Sequence, residues 1–316
     1  MLNKIRAIMF GHAIGDALGV PVEFRSREYL ESKPVTDMIG FGTYNLPAGC
    51  WSDDTSMALC ALHSLSKGFL DFHDIMNNFY KWYYHNKFTP EGFVFDIGNT
   101  CSQAIDNYFY DKMSPTNCGI SSIHANGNGS LMRINPFVLY AVCNNIDGND
   151  FLKMIVDASS LTHSHPISTD GCIIYACVLK ELIKNPTKKS IYRGLESAKQ
   201  YLSDNYNGYY DRLLKSDIAM LDRTNIKSSG YVVDSLEAAI WCLARTETYS
   251  DCVLTAVNLG EDTDTIAAIA GGLAGALYGF ESIPKKWLDL LKKKKYIDNM
   301  CICSYERWCL NGDRSV

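Results

Sequence analysis

Two short acidic segments, far apart in the chain, carry the residue types best suited to holding a cation. They run from Trp51 to Thr55 and from Gly260 to Thr265, and the second leads directly into a helix of small apolar residues. The candidate ligands are Ser52, Asp53, Asp54 and Thr55 in the first segment and Asp262, Thr263, Asp264 and Thr265 in the second. Buried carboxylates are costly unless they are paired or bind a cation. We therefore predict that the two segments meet around bound metal.

The donor atoms of both segments are all oxygens, which favours magnesium, manganese or calcium over zinc or copper. Four aspartates carry more negative charge than one divalent ion balances, so two ions are predicted. Helix N-termini stabilise anionic side chains, so these aspartates can be held by helix ends while their other oxygens face the metals. The alternative for either segment alone is an ordinary helix cap, because Ser-Asp-Asp-Thr is good capping sequence.

A glycine-rich turn, Asn126 to Ser130, precedes a predicted helical turn that carries Arg133. Its Asn-Gly steps favour positive φ angles and expose backbone N–H groups, which can cradle a phosphate. The Lys-Ser/Thr of a P-loop is missing. A plain Asn-Gly turn is therefore the alternative.

Four other titratable residues lie in turns. His163 and His165 lack the helical spacing of a metal-binding pair and a proline follows them, which favours capping or hydrogen bonding. Glu23 lies in an extended turn after a proline, and Asp96 begins an Asp-Ile-Gly-Asn-Thr segment. Taken alone, either acid would be interpreted as a surface carboxylate.

Helical periodicity dominates the chain, and residues 228–233 are the one short segment with strand-like character. The predicted helices include residues 2–19, 56–65, 71–86, 151–161, 170–184, 188–204, 234–244, 250–259 and 266–278, with others ending near 110 and restarting at Pro136. This pattern predicts an all-α fold. We expect a single compact, orthogonal multi-helix domain over residues 1–316, with the two-metal site at helix N-termini.

Composition sets the remaining expectations. The chain has 316 residues, 47% of them hydrophobic, and a formal net charge of −5, which is typical of a globular protein and gives no reason to expect nucleic-acid binding. No apolar run approaches a membrane span and no signal peptide is evident, so we predict a cytoplasmic protein, and a monomer. The twelve cysteines form no Cys-x-x-Cys pair and are expected to be reduced and buried. Lysines 292–295 are interpreted as a solvated helix end.

Motifs covering most of the chain occur in a consistent order. They are Gly11-His-Ala-Ile-Gly-Asp-Ala-Leu-Gly-Val-Pro-Val-Glu-Phe24, Trp51-Ser-Asp-Asp-Thr-Ser-Met57, Asp96-Ile-Gly-Asn-Thr100, Gly127-Asn-Gly-Ser-Leu-Met-Arg133, Leu161-Thr-His163, Ser229-Gly-Tyr-Val-Val-Asp-Ser-Leu-Glu-Ala-Ala239 and Asn258-Leu-Gly-Glu-Asp-Thr-Asp-Thr-Ile266. This set resembles the ADP-ribosylglycohydrolase family, most of all the bacterial branch that includes the dinitrogenase-reductase-activating glycohydrolase.

The resemblance implies an all-α enzyme with two Mg2+ or Mn2+ ions that hydrolyses the bond between C1 of the distal ribose and a modified protein side chain. By motif position the metal ligands would be Ser52, Asp53, Asp54, Asp262, Asp264 and Thr265. The diphosphate would be held by Gly127, Asn128, Gly129 and Ser130. His163 would line the ADP-ribose cleft, and Glu23 stands where a mobile acidic residue approaches the scissile bond in some members.

The chemistry of that reaction assigns roles to three carboxylates. Glycosidic cleavage passes through an oxocarbenium-like state, and a carboxylate takes the proton of the attacking water. We favour Asp262 for this role, with Glu23 as the alternative. A guanidinium leaving group calls for a carboxylate partner. In the arginine-directed bacterial branch the aspartate of the Asp-Ile-Gly-Asn-Thr motif, here Asp96, is placed to meet it, so we predict ADP-ribosyl-arginine rather than ADP-ribosyl-serine as substrate.

Two other functions remain open at this stage. The acidic segments alone would also suit a two-metal phosphoesterase that acts on nucleotides and releases phosphate. Some relatives of the family are structural proteins or ADP-ribose binders, and loss of the metal-binding carboxylates would mark that alternative. None of those carboxylates is lost here.

Overall fold

The computed structural model describes residues 1–203 and 207–310, and over these ranges it contains fifteen α-helices and no β-strand. The helices are α1 Leu2–Gly19, α2 Arg27–Ser32, α3 Asp53–Leu65, α4 Phe72–His85, α5 Asn99–Phe109, α6 Asn135–Cys143, α7 Gly148–Ser160, α8 Pro166–Lys184, α9 Lys188–Ala198, α10 Asp211–Lys215, α11 Val232–Arg245, α12 Tyr249–Val257, α13 Thr263–Tyr278, α14 Lys285–Leu290 and α15 Lys294–Tyr305. The all-α prediction is confirmed.

Helices α1 and α13 form the central pair of the fold, and glycines allow their backbones to touch. A Cβ atom on Gly11 would lie 2.4 Å from the carbonyl oxygen of Gly271, and one on Gly15 would lie 2.0 Å from that of Ala267. At the end of α1, a Cβ on Gly19 would lie 2.3 Å from the Cα of Asp264. Since no larger residue fits at these positions, the small residues bring α1 directly against the start of α13, where the second acidic segment lies.

Residues 228–233 do not form the strand that their composition suggested. Gly127 and Tyr231 form an isolated antiparallel bridge, supported by a hydrogen bond from the Asn128 N–H to the carbonyl of Gly230 at 3.1 Å. Helix α11 then begins at Val232, two residues before its predicted start. The segment is too short for a ladder, and its main effect is to hold the glycine-rich turn against the start of α11.

The predicted helix 188–204 is shorter in the structure, because α9 ends at Ala198 and a 3-10 turn, Lys199–Tyr201, follows it. Residue 204 lies outside the described residues. One cluster of buried apolar side chains extends from Ile5 to Trp308. The 1–316 domain stays a prediction, since 204–206 and 311–316 also lie outside the described ranges.

The segment Leu2–Val22 is apolar enough to cross a membrane by length and composition, with a mean hydropathy of 1.2. The expectation that no apolar run approaches a membrane span is therefore wrong. However, 94% of its most apolar window is buried inside the protein, because α1 packs at the centre of the helical core.

All twelve cysteines are free thiols, and nine of them are buried, as predicted.

Candidate active site

The N-terminus of α3 is held by a side chain from α1. Ser52 caps α3, with its Oγ accepting a hydrogen bond from the N–H of Asp54 at 3.4 Å. Asp16, in the last turn of α1 and fully buried, accepts hydrogen bonds from the backbone N–H of Ser52 at 2.8 Å and from that of Thr55 at 3.0 Å. The hydroxyl of Thr55 donates a third bond to Asp16 at 2.6 Å. Asp16 thus fixes the direction in which the first acidic segment faces.

The N-terminus of α13 is held by a tight turn that also positions Glu23. Gly260 and Glu261 both have positive φ, 83° and 62°. The N–H of Glu261 donates to the carbonyl of Arg25 at 2.7 Å, and the N–H of Phe24 donates to the carbonyl of Glu261 at 2.7 Å. These reciprocal bonds hold the loop after α1 against the second acidic segment, so Glu23 is brought to the start of α13.

The two acidic segments meet, as the sequence predicted. The hydroxyl of Thr265 donates to Asp54 Oδ2 at 3.2 Å, and the hydroxyl of Ser52 donates to the same oxygen at 2.9 Å. We call the carboxylates that converge here the acidic cluster. Its members are Asp16, Glu23, Asp53, Asp54, Asp96, Asp262 and Asp264.

Two overlapping groups of carboxylates in the acidic cluster have the spacing of a metal site. Oxygens of Asp16, Asp54 and Asp264 all lie within 4.8 Å of one another, and so do oxygens of Glu23, Asp96 and Asp264. Asp264 belongs to both groups. Asp264 lies in the first turn of α13. Its side-chain Oδ1 accepts a hydrogen bond from the N–H of Thr265 at 2.9 Å.

The charge of the acidic cluster is not balanced by the protein. Within the two described ranges, no lysine, arginine or histidine forms an ion pair with any of its members. Asp54 Oδ1 and Glu23 Oε2 are buried without a hydrogen-bond partner. An all-oxygen set of buried, mutually repelling carboxylates with orphaned oxygens fits hard divalent cations.

Burial and mutual repulsion raise the pKa values of these carboxyl groups. Burial raises the pKa of Asp16 to about 6 and that of Glu23 to about 8, and for Glu23 the charges of Asp96 and Asp262 add to the effect against a hydrogen bond from Tyr44. Burial also raises the pKa values of Asp54 and Asp264 well above their usual range, again reinforced by neighbouring carboxylates. A bound cation would remove this penalty by favouring the ionised forms.

A cavity of about 290 Å3 opens beside the acidic cluster. It is lined by Glu23, Phe24, Asp53, Asp96, Gly98, Asn99, Thr100, Cys101, Gly127, Asn128, Gly129, Met132, His163, Gly230, Asp262 and Thr265. Most of the predicted site residues therefore line one cavity. Ser52, Asp54 and Asp264 are buried and do not line it. The prediction had treated Ser130 as a cavity residue, but it is fully buried and its hydroxyl contacts Ser159 Oγ at 2.9 Å.

The glycine-rich turn forms the wall opposite the carboxylates. None of residues 126–129 has the positive φ predicted for an Asn-Gly turn, and the backbones of Asn126 and Asn128 instead pair with those of Val232 and Gly230. Asn128 donates from Nδ2 to Asp262 Oδ2 at 2.7 Å and to Ser235 Oγ at 2.9 Å. In the described part of the chain, the N–H groups of Gly129 and Ser130 donate to no protein acceptor. Gly129 lines the cavity, so its N–H group is free for an anionic ligand there, whereas Ser130 is fully buried and does not line the cavity.

Three residues discussed with the site have scaffold contacts. Arg133 does not line the cavity; it is fully buried and lies with its guanidinium 5.0 Å from the centre of the Phe79 ring. His165 caps α8 by accepting the N–H of Ile167 at 3.3 Å, as predicted. His163 does line the cavity, and its Nδ1 lies 2.9 Å from the hydroxyl oxygen of Thr162.

Comparison with known proteins assigns the chain to a protein family. The family model described as ADP-ribosylglycohydrolase matches residues 1–313. The chain belongs to the ADP-ribosylglycohydrolase family. It is 34% identical over 305 residues to the ADP-ribosylarginine hydrolase Tri1 of Serratia proteamaculans, covering 95% of this chain and 78% of the relative. It is 32% identical to the ADP-ribosyl-[dinitrogen reductase] glycohydrolase of Rhodospirillum rubrum, covering 92% of this chain and 91% of the relative.

A solved structure agrees with this assignment. The chain superposes on one titled ADP-ribosylglycohydrolase-related protein complex with a TM-score of 0.81 and 27% identity, covering 97% of this chain and 98% of the other. The protein is thus a hydrolytic enzyme of the ADP-ribosylglycohydrolase family. This membership selects glycosidic-bond hydrolysis over the nucleotide phosphoesterase alternative.

Sequence reasoning missed two residues of this ADP-ribosylglycohydrolase site. Asp16 was assigned only to a helix, although a lone carboxylate between glycines on an apolar helix was a usable signal. Tyr44 lies in a 3-10 turn, where its hydroxyl donates to Glu23 and its ring packs on Phe95 with centroids 4.8 Å apart. No local pattern around Tyr44 distinguishes it from the other tyrosines of the chain.

Proposed function

We propose that this enzyme removes ADP-ribose from modified protein side chains with the help of divalent cations, and that its preferred linkage is the N-glycosidic bond to arginine. The observation that carries the proposal is the position of Asp96. Its carboxylate lines the same cavity as Asp262 and Asp53, and no cationic side chain of the described residues pairs with it. A guanidinium entering the cavity would find an unpaired carboxylate acceptor beside the acidic cluster.

The residues proposed to hold two ions, Mg2+ or Mn2+, are Ser52, Asp53, Asp54, Asp262, Asp264 and Thr265. Asp16 is proposed to support them from behind, because its hydrogen bonds to the start of α3 set the orientation of Ser52 and Asp54. Bound at this position, divalent ions supply positive charge that fixes the ribose hydroxyls and compensates negative charge near the reacting bond. This is our reason for expecting activity to depend on metal.

Residues of the chain itself are proposed to bind the substrate and to transfer the proton during hydrolysis. The free N–H group of Gly129, which lines the cavity, is proposed to bind an oxygen of a diphosphate and so to anchor the distal ribose near Asp262. Asp262, oriented by the Asn128 amide at 2.7 Å, is proposed to take the proton of the water that attacks C1. Glu23 is the alternative base, since it lines the same cavity and has an oxygen without a partner.

When the substituted guanidine of the modified arginine is protonated, cleavage at C1 releases it as a neutral leaving group. Asp96 is proposed to orient the guanidinium through charge-assisted hydrogen bonds, and so to favour arginine over an alcohol leaving group. Two relatives whose names specify arginine, the Tri1 hydrolases of Serratia proteamaculans and Pseudomonas putida, support this linkage at 34% and 32% identity. An O-linked substrate such as ADP-ribosyl-serine, or ADP-ribose binding without turnover, are the outcomes that the next experiment separates.

With magnesium or manganese, the enzyme should release free ADP-ribose from an ADP-ribosyl-arginine peptide faster than from the matched serine peptide. Asp96→Asn should lower kcat/KM for the arginine peptide by roughly a hundredfold, because a half-buried charged partner of the guanidinium is lost. Its affinity for free ADP-ribose and for metal should change little, since neither needs that carboxylate in this proposal. Product release is followed by chromatography, with the exposed Asp111→Asn variant as the matched control.

Release from the serine peptide alone would contradict the arginine assignment. Binding of both peptides with no release of ADP-ribose would contradict the assignment as a hydrolase. A fall in metal affinity in the Asp96→Asn variant would instead place Asp96 among the metal ligands.

A further inference from the structure

We infer that Arg133 and Thr162, neither of which lines the cavity, fix the tautomer of His163 so that its Nε2–H group points a hydrogen-bond donor into the cavity. Both residues are fully buried. His163 is the one member of this chain of contacts that reaches the cavity wall. The inference assigns to Arg133 the role of a positioning residue.

Arg133 sets the direction of the first hydrogen bond. Its Nη2 lies 2.7 Å from Thr162 Oγ1, and its Nη1 donates to the carbonyl oxygen of Ala158 at 3.0 Å. A guanidinium has donors and no acceptor, and it keeps its proton in proteins. At this contact Thr162 Oγ1 must therefore be the acceptor, whatever the state of the rest of the site.

Thr162 then passes a defined hydrogen to His163. Its hydroxyl has one hydrogen, and Oγ1 lies 2.9 Å from His163 Nδ1. Within the described ranges, the Thr162 hydroxyl has one further neighbour besides Arg133 and His163, the thiol of Cys101. Sulfur is a weak acceptor. The stronger acceptor is the imidazole nitrogen, so the hydroxyl donates to Nδ1. Nδ1 is then unprotonated, and in a neutral ring the hydrogen resides on Nε2.

The position of Nε2 shows where this donor is directed. Cβ atoms built on Gly127 and on Gly129 would each lie 3.7 Å from His163 Nε2, and both glycines line the cavity. The backbone of His163 is fixed as well, since its N–H donates to the carbonyl of Ser159 at 2.8 Å and its carbonyl accepts the Ser159 hydroxyl at 2.9 Å. Ring rotation into the other orientation would break the contact with Thr162.

The neutral state that this arrangement needs agrees with the burial of the ring. Burial, with the nearby charge of Arg133, lowers the pKa of His163 to about 3, so the ring is uncharged at neutral pH. His163 and Gly129 both line the cavity, so the Nε2–H group and the free N–H group of Gly129 together suit an oxygen of an anionic ligand. The identity of that ligand as the diphosphate of ADP-ribose rests on the proposed function; the tautomer itself does not.

The tautomer can be measured on the unmodified, magnesium-loaded protein. Histidine labelled with nitrogen-15 is read by long-range proton–nitrogen correlation at neutral pH, and the His163 signals are assigned by their loss in His163→Ala. We expect a neutral ring protonated at Nε2, with Nδ1 unprotonated. A ring protonated at Nδ1, or an equal mixture of tautomers, would overturn the inference.

A pair of variants tests whether Thr162 is the cause. Thr162→Val removes the hydroxyl at nearly constant volume and should abolish the preference for Nε2–H, while raising the Kd for ADP-ribose about tenfold. Thr162→Ser keeps the hydroxyl and should restore both readouts. An unchanged tautomer in Thr162→Val would overturn the positioning role. An altered tautomer with unchanged ADP-ribose affinity would overturn the donation to ligand, and hydrolysis of the arginine peptide tests the proposed function separately.

Discussion

Replacing Asp264 by alanine should abolish both metal binding and turnover. Among the described residues, Asp264 alone belongs to both groups of converging carboxylates, and it is 1% exposed at the first turn of α13. A bound metal ion stabilises charge in the transition state by several kcal/mol, so losing the metal should lower kcat/KM by about a thousandfold or more. The measurements are ADP-ribose release from the arginine peptide and calorimetric titration with Mn2+.

The same variant separates a metal-site defect from a folding defect. Removing one of several repelling carboxylates should leave the metal-free protein at least as stable as wild type, because the acidic cluster has no compensating cation of its own. Added Mg2+ should raise the melting temperature of wild type but not that of Asp264→Ala. Glu261→Gln is the matched control, since Glu261 is an exposed neighbour whose contacts to Arg25 and Phe24 are made by its backbone. Full turnover of Asp264→Ala in chelator-treated buffer would refute the metal mechanism.

Gly15→Ala should destabilise the protein strongly, although it adds only one methyl group. The new Cβ would lie 2.0 Å from the carbonyl oxygen of Ala267 and 2.9 Å from the N–H nitrogen of Ala268, and both are backbone atoms that cannot rotate away. Helices α1 and α13 would have to move apart, at a cost of about 3 kcal/mol or more. Chemical denaturation measures the loss in free energy of unfolding.

The separation of α1 and α13 should also impair the site. Asp16 is on α1 and Asp264 on α13, so the distance between their oxygens depends on this helix contact. We expect weaker Mn2+ binding in any Gly15→Ala protein that folds. Gly98→Ala is the control for stability, because a Cβ at Gly98 would meet no atom within 4 Å and its φ of −67° suits any residue. Equal stability of the two variants would show that the close contact of α1 and α13 is not required.

The parts of the site that the sequence predicted are those whose chemistry is local. Ser52 to Thr55 and Asp262 to Thr265 each combine a helix-capping pattern with an excess of carboxylates, and the structure brings them together at helix N-termini as expected. The all-α fold was equally accessible, since apolar residues recur at helical spacing through most of the chain. In both cases the deciding signal lies within a few residues.

The parts that the sequence did not predict depend on contacts between distant segments. Arg133 follows the glycine-rich turn, and nothing in the local sequence indicates that its side chain contacts Thr162 and the Phe79 ring. The sequence marks Asp16 as an unusual carboxylate on an apolar helix, but its partners Ser52 and Thr55 follow only from the contact of α1 with the start of α3. The Asn-Gly steps keep negative φ because residues 230–232 pair with them. In each case, contacts with distant segments of the chain determine the result, and the local sequence does not.

The central claim is that two segments, Ser52 to Asp54 and Asp262 to Thr265, form one divalent-metal site that serves an ADP-ribose cleft. Diffraction from crystals soaked with Mn2+ and ADP-ribose, collected at the manganese absorption edge, tests it most directly. We predict two anomalous peaks whose ligands come from both segments, with the ribose hydroxyls beside them and Asp96 facing the C1 carbon. The absence of anomalous peaks, or peaks bound by only one of the two segments, would contradict the account.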